Sequence, residues 1–202
     1  PVVLFDLLTA LLDSWTLWDA AAGSQADGRR WRMRYLELTY GSTSYTPYED
    51  LVQQSATDAG LGVAAAEALV ERWDELAPWP EATGVLAELG DAGHRLGVVT
   101  NCSEGLGYRA AARLGVPVHV VTAERAGAYK PNAAPYRLAL DEMGVRPEDA
   151  LFVAGSPSDI GGARRAGMAV VWHNRIRLPE PPEPVTQLDT LSELPLRLRM
   201  GP

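Results

Sequence analysis

Four short stations in the chain set reactive side chains at the ends of apolar runs. Val2 to Phe5 leads into the carboxylate of Asp6. Val98-Val99 leads into the hydroxyl of Thr100 and the amide of Asn101. Tyr129-Lys130-Pro131 offers an ammonium, with Tyr136 six residues after the lysine. Phe152-Val-Ala-Gly-Ser156-Pro-Ser-Asp159 adds a hydroxyl and a second carboxylate and runs into Gly161-Gly-Ala-Arg164. A carboxylate, small hydrogen-bond donors, a fixed cation and a second carboxylate suit covalent catalysis. Asp6 attacks, Lys130 holds it ionised, and the polar groups bind the charge that develops. Taken singly, each station has a plainer reading. A strand-end Asp often only caps a helix, Thr-Asn is common turn chemistry, a Lys-Pro loop lysine is usually solvated, and paired glycines serve packing. Their order along the chain, each at the end of an apolar run, points to one site.

The elements that must position them read as α/β. Val2 to Asp6 is a buried parallel strand with Asp6 at its C-terminal end, where open α/β sheets bind ligands. Further strands are expected at Leu96 to Thr100, Val116 to Thr122, Leu151 to Ala154 and Met168 to Trp172. Helical patterns at Ser103 to Leu114, Asn132 to Met143 and Asp159 to Ala166 separate them. Alternating strands and helices imply a Rossmann-like parallel sheet. Residues 13–77 break the rhythm and read as all helix. Thr46-Pro-Tyr-Glu49 has the form of a capping box starting a helix at Pro47, and Val63 to Leu76 is rich in helix formers. Trp31, Tyr35 and Leu38 share a helical face. Pro78-Trp-Pro80 stops the insertion and returns the chain to the core. The expected division is a core of 1–12 and 78–202 with a helical insertion of 13–77.

Composition narrows the function classes. The chain has 202 residues, 47% hydrophobic and 22% charged, with 18 basic and 26 acidic side chains for a net charge of −8. That balance argues against a nucleic-acid partner but not against a small anionic substrate held by a few local cations. No apolar run reaches the ~18 residues that span a bilayer, so no membrane partner is expected. The N-terminal residues show no secretory signal. The single cysteine, Cys102, cannot form an internal disulfide, and cytoplasmic residence is the expectation. Pro179 to Pro184 reads as a surface loop. Cys102 reads as a packing residue. His94, His119 and His173 share no spacing and receive no catalytic or metal role; His94 reads as a helix-end cation. Of Arg29, Arg30, Arg32 and Arg34, only Arg32 receives a role. Trp15, Trp18, Trp31, Trp73 and Trp79 read either as interior packing of the insertion or as a pocket wall or dimer face.

The whole chain resembles the haloacid dehalogenase superfamily. Phe5-Asp6 with Leu11-Leu-Asp13, Thr100-Asn101, Lys130-Pro131 and the Gly155 to Asp159 turn fall as its four motifs, and 13–77 sits where that family carries a helical cap. Most members are Mg²⁺-dependent phosphatases with a second Asp two residues after the nucleophile and a Gly-Asp pair in the fourth motif. Here those positions hold Leu8 and Ala154-Gly155. The resemblance therefore narrows to the L-2-haloacid dehalogenases, which lack the second Asp and use no metal, so no cofactor is implied; Mg²⁺ enters only if the phosphatase alternative holds. By that resemblance Asp6 displaces halide from C2 with inversion to give an ester, and Arg32, following Trp31, receives the halide or holds the substrate. Thr100, Asn101, Tyr136 and Ser156 stand at the substrate. Lys130 supports Asp6, and Asp159 positions the water that cleaves the ester. A homodimer is a further expectation, and a catalytically silent binder of the same fold remains an alternative. The chain departs from the dehalogenase pattern at Leu8, at Thr9-Ala10, where that subfamily has Gly-Thr, and at Ala154 and Ser156.

Overall fold

Val2–Asp6 forms strand β1, buried along its whole length, in the computed structural model. The structure describes residues 1–40, 42, 44–179, 181 and 183–200. After β1 come four helices: α1 Ser14–Ala22, α2 Gln25–Tyr40, α3 Tyr48–Asp58 and α4 Val63–Glu71, the last followed by a 3-10 turn at Trp73–Glu75. The chain then alternates: α5 Ala82–Asp91, β2 Arg95–Thr100, α6 Glu104–Ala112, β3 His119–Thr122, α7 Ala123–Ala126, α8 Ala133–Glu142, β4 Ala150–Ala154, α9 Pro157–Arg165, β5 Ala169–His173, β6 Thr186–Leu188 and α10 Leu194–Met200. The strands form one parallel sheet in the order β3-β2-β1-β4-β5-β6. β1 lies between β2 and β4, so the strand order reverses at β1 and opens a crevice beyond its C-terminal end.

The register explains the unbroken apolar runs. Val3 and Phe5 pack on one face with Val98 and Val153, while Val2 and Leu4 pack on the other with Val99, Phe152 and Ala154. A strand covered on both faces has no polar side to show in sequence. Both faces are closed by helices, which leaves the carboxyl ends of β1, β2 and β4 as the open edge of the core.

The helical segment after β1 leaves and returns through a narrow neck. Leu12 bridges antiparallel to Pro78, Asp13 N–H donates to the Ala77 carbonyl at 2.9 Å, and Trp79 N–H donates to the Leu11 carbonyl at 2.9 Å. Helices α1 and α2 pack closely because Gly28 has no side chain: a Cβ there would stand 2.6 Å from Asp19 Cα. Trp31, Tyr35 and Tyr48 fill the interior of this segment.

Several boundaries differ from the sequence expectation. The helix expected at Pro47 begins at Tyr48, with Pro47 as an N-cap that makes no side-chain bond. The capping box does not close because Glu49 accepts from Ser103 Oγ at 2.6 Å instead. The helix expected through Leu76 turns 3-10 after Arg72. The strand expected from Val116 starts at His119, two residues after Pro117, which has no N–H for a ladder. β6 and α10 were not expected. His94 does follow the left-handed Gly93 at the end of α5, its N–H closing on the Leu89 carbonyl at 3.0 Å, while burial lowers the basicity of its imidazole. Part of the Pro179 to Pro184 loop lies outside the described residues. No helix among the described residues is long and apolar enough to cross a membrane.

Candidate active site

Asp6 is the last residue of β1 and is nearly buried, 8% exposed. Its two carboxylate oxygens have different partners. Oδ2 accepts from the backbone N–H of Thr9 at 2.8 Å and of Ala10 at 3.0 Å, which the tight turn after β1 aims back at the strand end. Oδ1 accepts from Lys130 Nζ at 2.8 Å. Burial alone would raise the Asp6 pKa, but the Lys130 charge and the two amides hold it below the ordinary carboxylate value.

Lys130 bridges Asp6 and Asp159, with Nζ 3.1 Å from Asp159 Oδ1 and 3.2 Å from Oδ2. Burial works against its charge, and the two carboxylates outweigh burial and raise its pKa. Its backbone is fixed by Asn101, whose Oδ1 accepts from Lys130 N–H at 2.8 Å and whose Nδ2 donates to the Lys130 carbonyl at 3.4 Å. Asp159, in the first turn of α9, is pushed up in pKa by burial and by the Asp6 charge, against the pull of Lys130. Of the two carboxylates, Asp159 is therefore the stronger base.

Arg32 reaches the same place from α2. Its Nη1 donates to Ser14 Oγ at 2.7 Å and its Nη2 to Thr9 Oγ1 at 3.0 Å, with its guanidinium 4.0 Å from the Trp15 ring centroid. Among the described residues no carboxylate forms an ion pair with it, so most of its donor fork is free for an anion. Burial lowers its pKa, and a guanidinium is not deprotonated in proteins.

These groups line one cavity of about 550 Å³ between the sheet edge and the helical segment. Asp6, Arg32, Lys130, Asp159, Thr100, Asn101 and Ser156 all line it. Thr100 spends its hydroxyl on Cys102 Sγ at 3.2 Å, and Ser156 Oγ pairs with Ser158 Oγ at 2.9 Å. Tyr136 is not at the wall. It is fully buried behind Asp159 and donates to Asp159 Oδ1 at 2.7 Å. Its spacing after Lys130 locates a helix face but not a depth. At the mouth, Tyr40 Oη donates to Ser158 Oγ at 2.6 Å, joining α2 to α9.

Four further residues shape the site and carried no signal in the sequence reading. Ser14 Oγ donates to the Leu8 carbonyl, Trp79 Nε1 to the Thr9 carbonyl at 2.9 Å, and His173 Nδ1 pairs with the Ala10 carbonyl at 2.8 Å. Thr9 supplies the hydroxyl that Arg32 holds, so a hydroxyl persists beside the nucleophile despite the Gly-Thr departure. The tryptophans divide between the two readings given for them. Trp15 and Trp18 line the cavity, whereas Trp31 and Trp73 are wholly buried with their Nε1 atoms bonded to Val52 and Leu106 carbonyls. They do not make an exposed dimer face. Cys102 is fully buried, and burial pushes its thiol up to about 12.

The donor set does not fit Mg²⁺, which takes a near-octahedral cage of hard oxygens. The ammonium of Lys130 already stands between Asp6 and Asp159. Gly155 brings no carboxylate, and a Cβ there would stand 2.5 Å from Asp6 Oδ2 and 2.6 Å from Ala10 N. Among the described residues no three His, Cys, Asp or Glu side chains cluster as metal ligands. Leu8, at the cavity wall, cannot protonate a leaving group.

Comparison with known proteins agrees with this arrangement. The haloacid dehalogenase-like hydrolase family matches residues 10–167. (S)-2-haloacid dehalogenase 1 of Pseudomonas sp. (strain CBS-3) is 32% identical over 188 residues, which cover 84% of this chain and 82% of that protein. Haloacetate dehalogenase H-2 of Moraxella sp. (strain B) is 29% identical over 193 residues, covering 86% and 85%. A crystal structure of a dehalogenase superposes with a TM-score of 0.87 at 28% identity, covering 97% of this chain and 96% of that one.

Proposed function

Because the chain belongs to the haloacid dehalogenase-like hydrolases, we propose that it hydrolyses 2-haloacids, without a metal, through an ester on Asp6. The observation that carries this reading is the asymmetric binding of the Asp6 carboxylate in a cavity that holds a buried guanidinium with no carboxylate partner among the described residues. Oδ1 has a single partner and keeps a lone pair for attack. It forms a bond to C2 as the C2–halogen bond breaks, and the halide departs without needing a proton. This is why Leu8 suffices where a leaving alkoxide would demand an acid. Arg32 receives the halide or holds the substrate carboxylate, with the remaining N–H of Asn101 and Ser156 as further donors, while Thr100 shapes the wall with its hydroxyl proton given to Cys102 Sγ.

Water then attacks Cγ of the ester, not C2. Asp159 takes the proton from that water, Oδ2 carries the negative charge, and the Thr9 and Ala10 amides stabilise it as an oxyanion hole. Collapse of the tetrahedral intermediate breaks the Cγ–Oδ1 bond, and the departing alkoxide takes back the proton that Asp159 removed from the water, leaving as the 2-hydroxyacid. Lys130 keeps Asp6 ionised in the resting enzyme, and Tyr136 orients Asp159 from behind. On this reading residues 13–77 act as a cap over the core of 1–12 and 78–202. Residence in the cytoplasm and a homodimeric state belong to the same proposal and are checked by fractionation and light scattering.

The test is halide release from L-2-chloropropionate in the presence of EDTA, beside phosphate release from an aryl phosphate with Mg²⁺. Halide release that Asp6→Asn abolishes supports the reading. Phosphate release without halide release overturns it, and silence in both assays favours a binding protein.

A further inference from the structure

The cavity is much larger than the reaction at its floor requires. At about 30 Å³ of liquid per water, a space of 550 Å³ corresponds to roughly eighteen waters, several times what a two- or three-carbon haloacid fills. Pockets of roughly 300–1,000 Å³ hold drug-sized ligands. The charged groups are gathered around Asp6, within a chain of direct contacts from Asp159 through Lys130 to Asp6. Away from them the wall is carbon: Tyr35, Leu36 and Leu178, with Leu8 beside the nucleophile, while Trp15 and Trp18 lie under the Arg32 guanidinium, 4.0 and 5.6 Å from their ring centroids. The Nε1 atoms of Trp15 and Trp18 and the hydroxyl of Tyr35 are themselves occluded, so these residues present their rings to the cavity. An anchored carboxylate and halide leave that apolar volume to be filled by whatever else C2 carries.

We propose that the substrate is a 2-haloacid with a bulky apolar substituent on C2, an arylmethyl or longer alkyl group, in preference to haloacetate or 2-halopropionate. The proposal rests on the 2-haloacid reading above. The substituent leaves the apolar wall unchanged between ground state and transition state. Its contribution therefore appears in KM and kcat/KM rather than in kcat.

The experiment measures halide release by the full chain, with EDTA, from chloroacetate and from racemic 2-chloropropionate, 2-chlorohexanoate and 2-chloro-3-phenylpropionate. Each buried methylene raises kcat/KM by about threefold to fourfold, which makes 2-chlorohexanoate on the order of thirtyfold better than 2-chloropropionate. Leu36→Trp fills part of the cavity and lowers the ratio of the phenyl substrate to chloroacetate by about tenfold or more. Met33→Trp, at a position 53% exposed on the cavity rim, makes the same test with little repacking should Leu36→Trp fail to fold. A flat series, or one that falls from chloroacetate upward, overturns the proposal while leaving the dehalogenase reading intact. Release from none of the four, with Asp6→Asn equally inert, overturns both.

Discussion

Gly155 is the position where one added methyl group separates catalytic geometry from fold. A Cβ at this residue would stand 2.5 Å from Asp6 Oδ2, 2.6 Å from Ala10 N and 2.8 Å from Thr9 Cβ. Ordinary contact begins near 3.4 Å, so the carboxylate or the turn must retreat by about 0.9 Å in Gly155→Ala. Either movement stretches the bonds from the Thr9 and Ala10 amides, now 2.8 and 3.0 Å. A hydrogen bond to a charged group is worth about 1.5–3 kcal/mol, the loss of one oxyanion donor costs about 10²–10³ in rate, and a displacement of ~1 Å costs about 10². The expected result is a kcat lower by about 10²–10³, with KM changed less, because Arg32 keeps its Ser14 bond even where its Thr9 contact shifts. Overpacking also costs about 1–3 kcal/mol, with Tm falling ~2–4 °C per kcal/mol, which leaves the protein folded for assay. The measurement is steady-state halide release beside a thermal melt. A kcat within about threefold of wild type, far short of one lost oxyanion donor, would refute the assigned role of the Asp6 cradle. Gly155→Asp restores the residue type that phosphatases of the family carry, but its own Cβ has no room. No phosphatase activity with Mg²⁺ should therefore appear, and its appearance would refute the steric argument.

Two further substitutions and one labelling experiment probe the remaining groups. Lys130→Met leaves two buried carboxylates facing each other and should cost about 3–5 kcal/mol of stability, with loss of halide release. The Asp6 pKa is lowered in the fold, so its contribution to stability is present above the unfolded value of about 3.9 and lost as pH falls through the folded one. In Lys130→Met burial is no longer opposed by the ammonium and both carboxyls are raised, so that acid-dependent loss should disappear and the variant should gain stability relative to wild type as pH falls in melts; an unchanged pH profile would refute the assignment. Asp159→Asn should release about one equivalent of halide per enzyme and stall, with the mass of the substrate's carboxyalkyl group on the peptide containing Asp6; full turnover would exclude Asp159 as the base. Cys102, its thiol pushed up to about 12 by burial, should ignore thiol reagents at pH 8 until the protein unfolds. Rapid labelling of the native enzyme would contradict its buried placement.

The first five strands were legible because a strand covered on both faces has an unbroken apolar run, as Val2 to Phe5 and Phe152 to Ala154 do. β6 was not, because only Leu188 of its three residues is buried. Asp6 and Thr100 end β1 and β2, and Lys130 and Asp159 lie in the segments that follow β3 and β4; the doubly wound order brings these carboxyl ends together, so the four could be named together from sequence. Tyr136 could not be placed, since the distance from Lys130 along a helix does not say which side of Asp159 it takes. Trp79 and His173 escaped for a different reason. Each acts on a backbone carbonyl, 70 and 163 residues away in sequence, and a carbonyl leaves no mark in residue identity.

Those carbonyl contacts also account for a first motif that departs from its family and still forms a nucleophile cradle. The two amides that face Asp6 belong to a turn whose side chains, Leu7 to Leu11, do little of the holding. Its carbonyls are taken instead: Leu7 by Leu12 N–H, Leu8 by Ser14 Oγ, Thr9 by Trp79 Nε1, Ala10 by His173 Nδ1 and Leu11 by Trp79 N–H. The donors come from the turn itself, from α1, from the neck and from the end of β5, so the turn is fixed from several elements at once. A cradle built from backbone N–H groups tolerates Leu8, Thr9 and Ala10 as long as the carbonyls stay engaged. The sensitive positions are then the remote donors. His173→Leu removes the partner of the Ala10 carbonyl and leaves that buried acceptor unsatisfied, at a cost of about 1–3 kcal/mol. It should lower kcat severalfold with KM unchanged, and His173→Gln, which can still donate from a similar position, should recover most of the loss. A His173→Leu enzyme with unaltered kcat would mean that the turn holds its amides without this clamp.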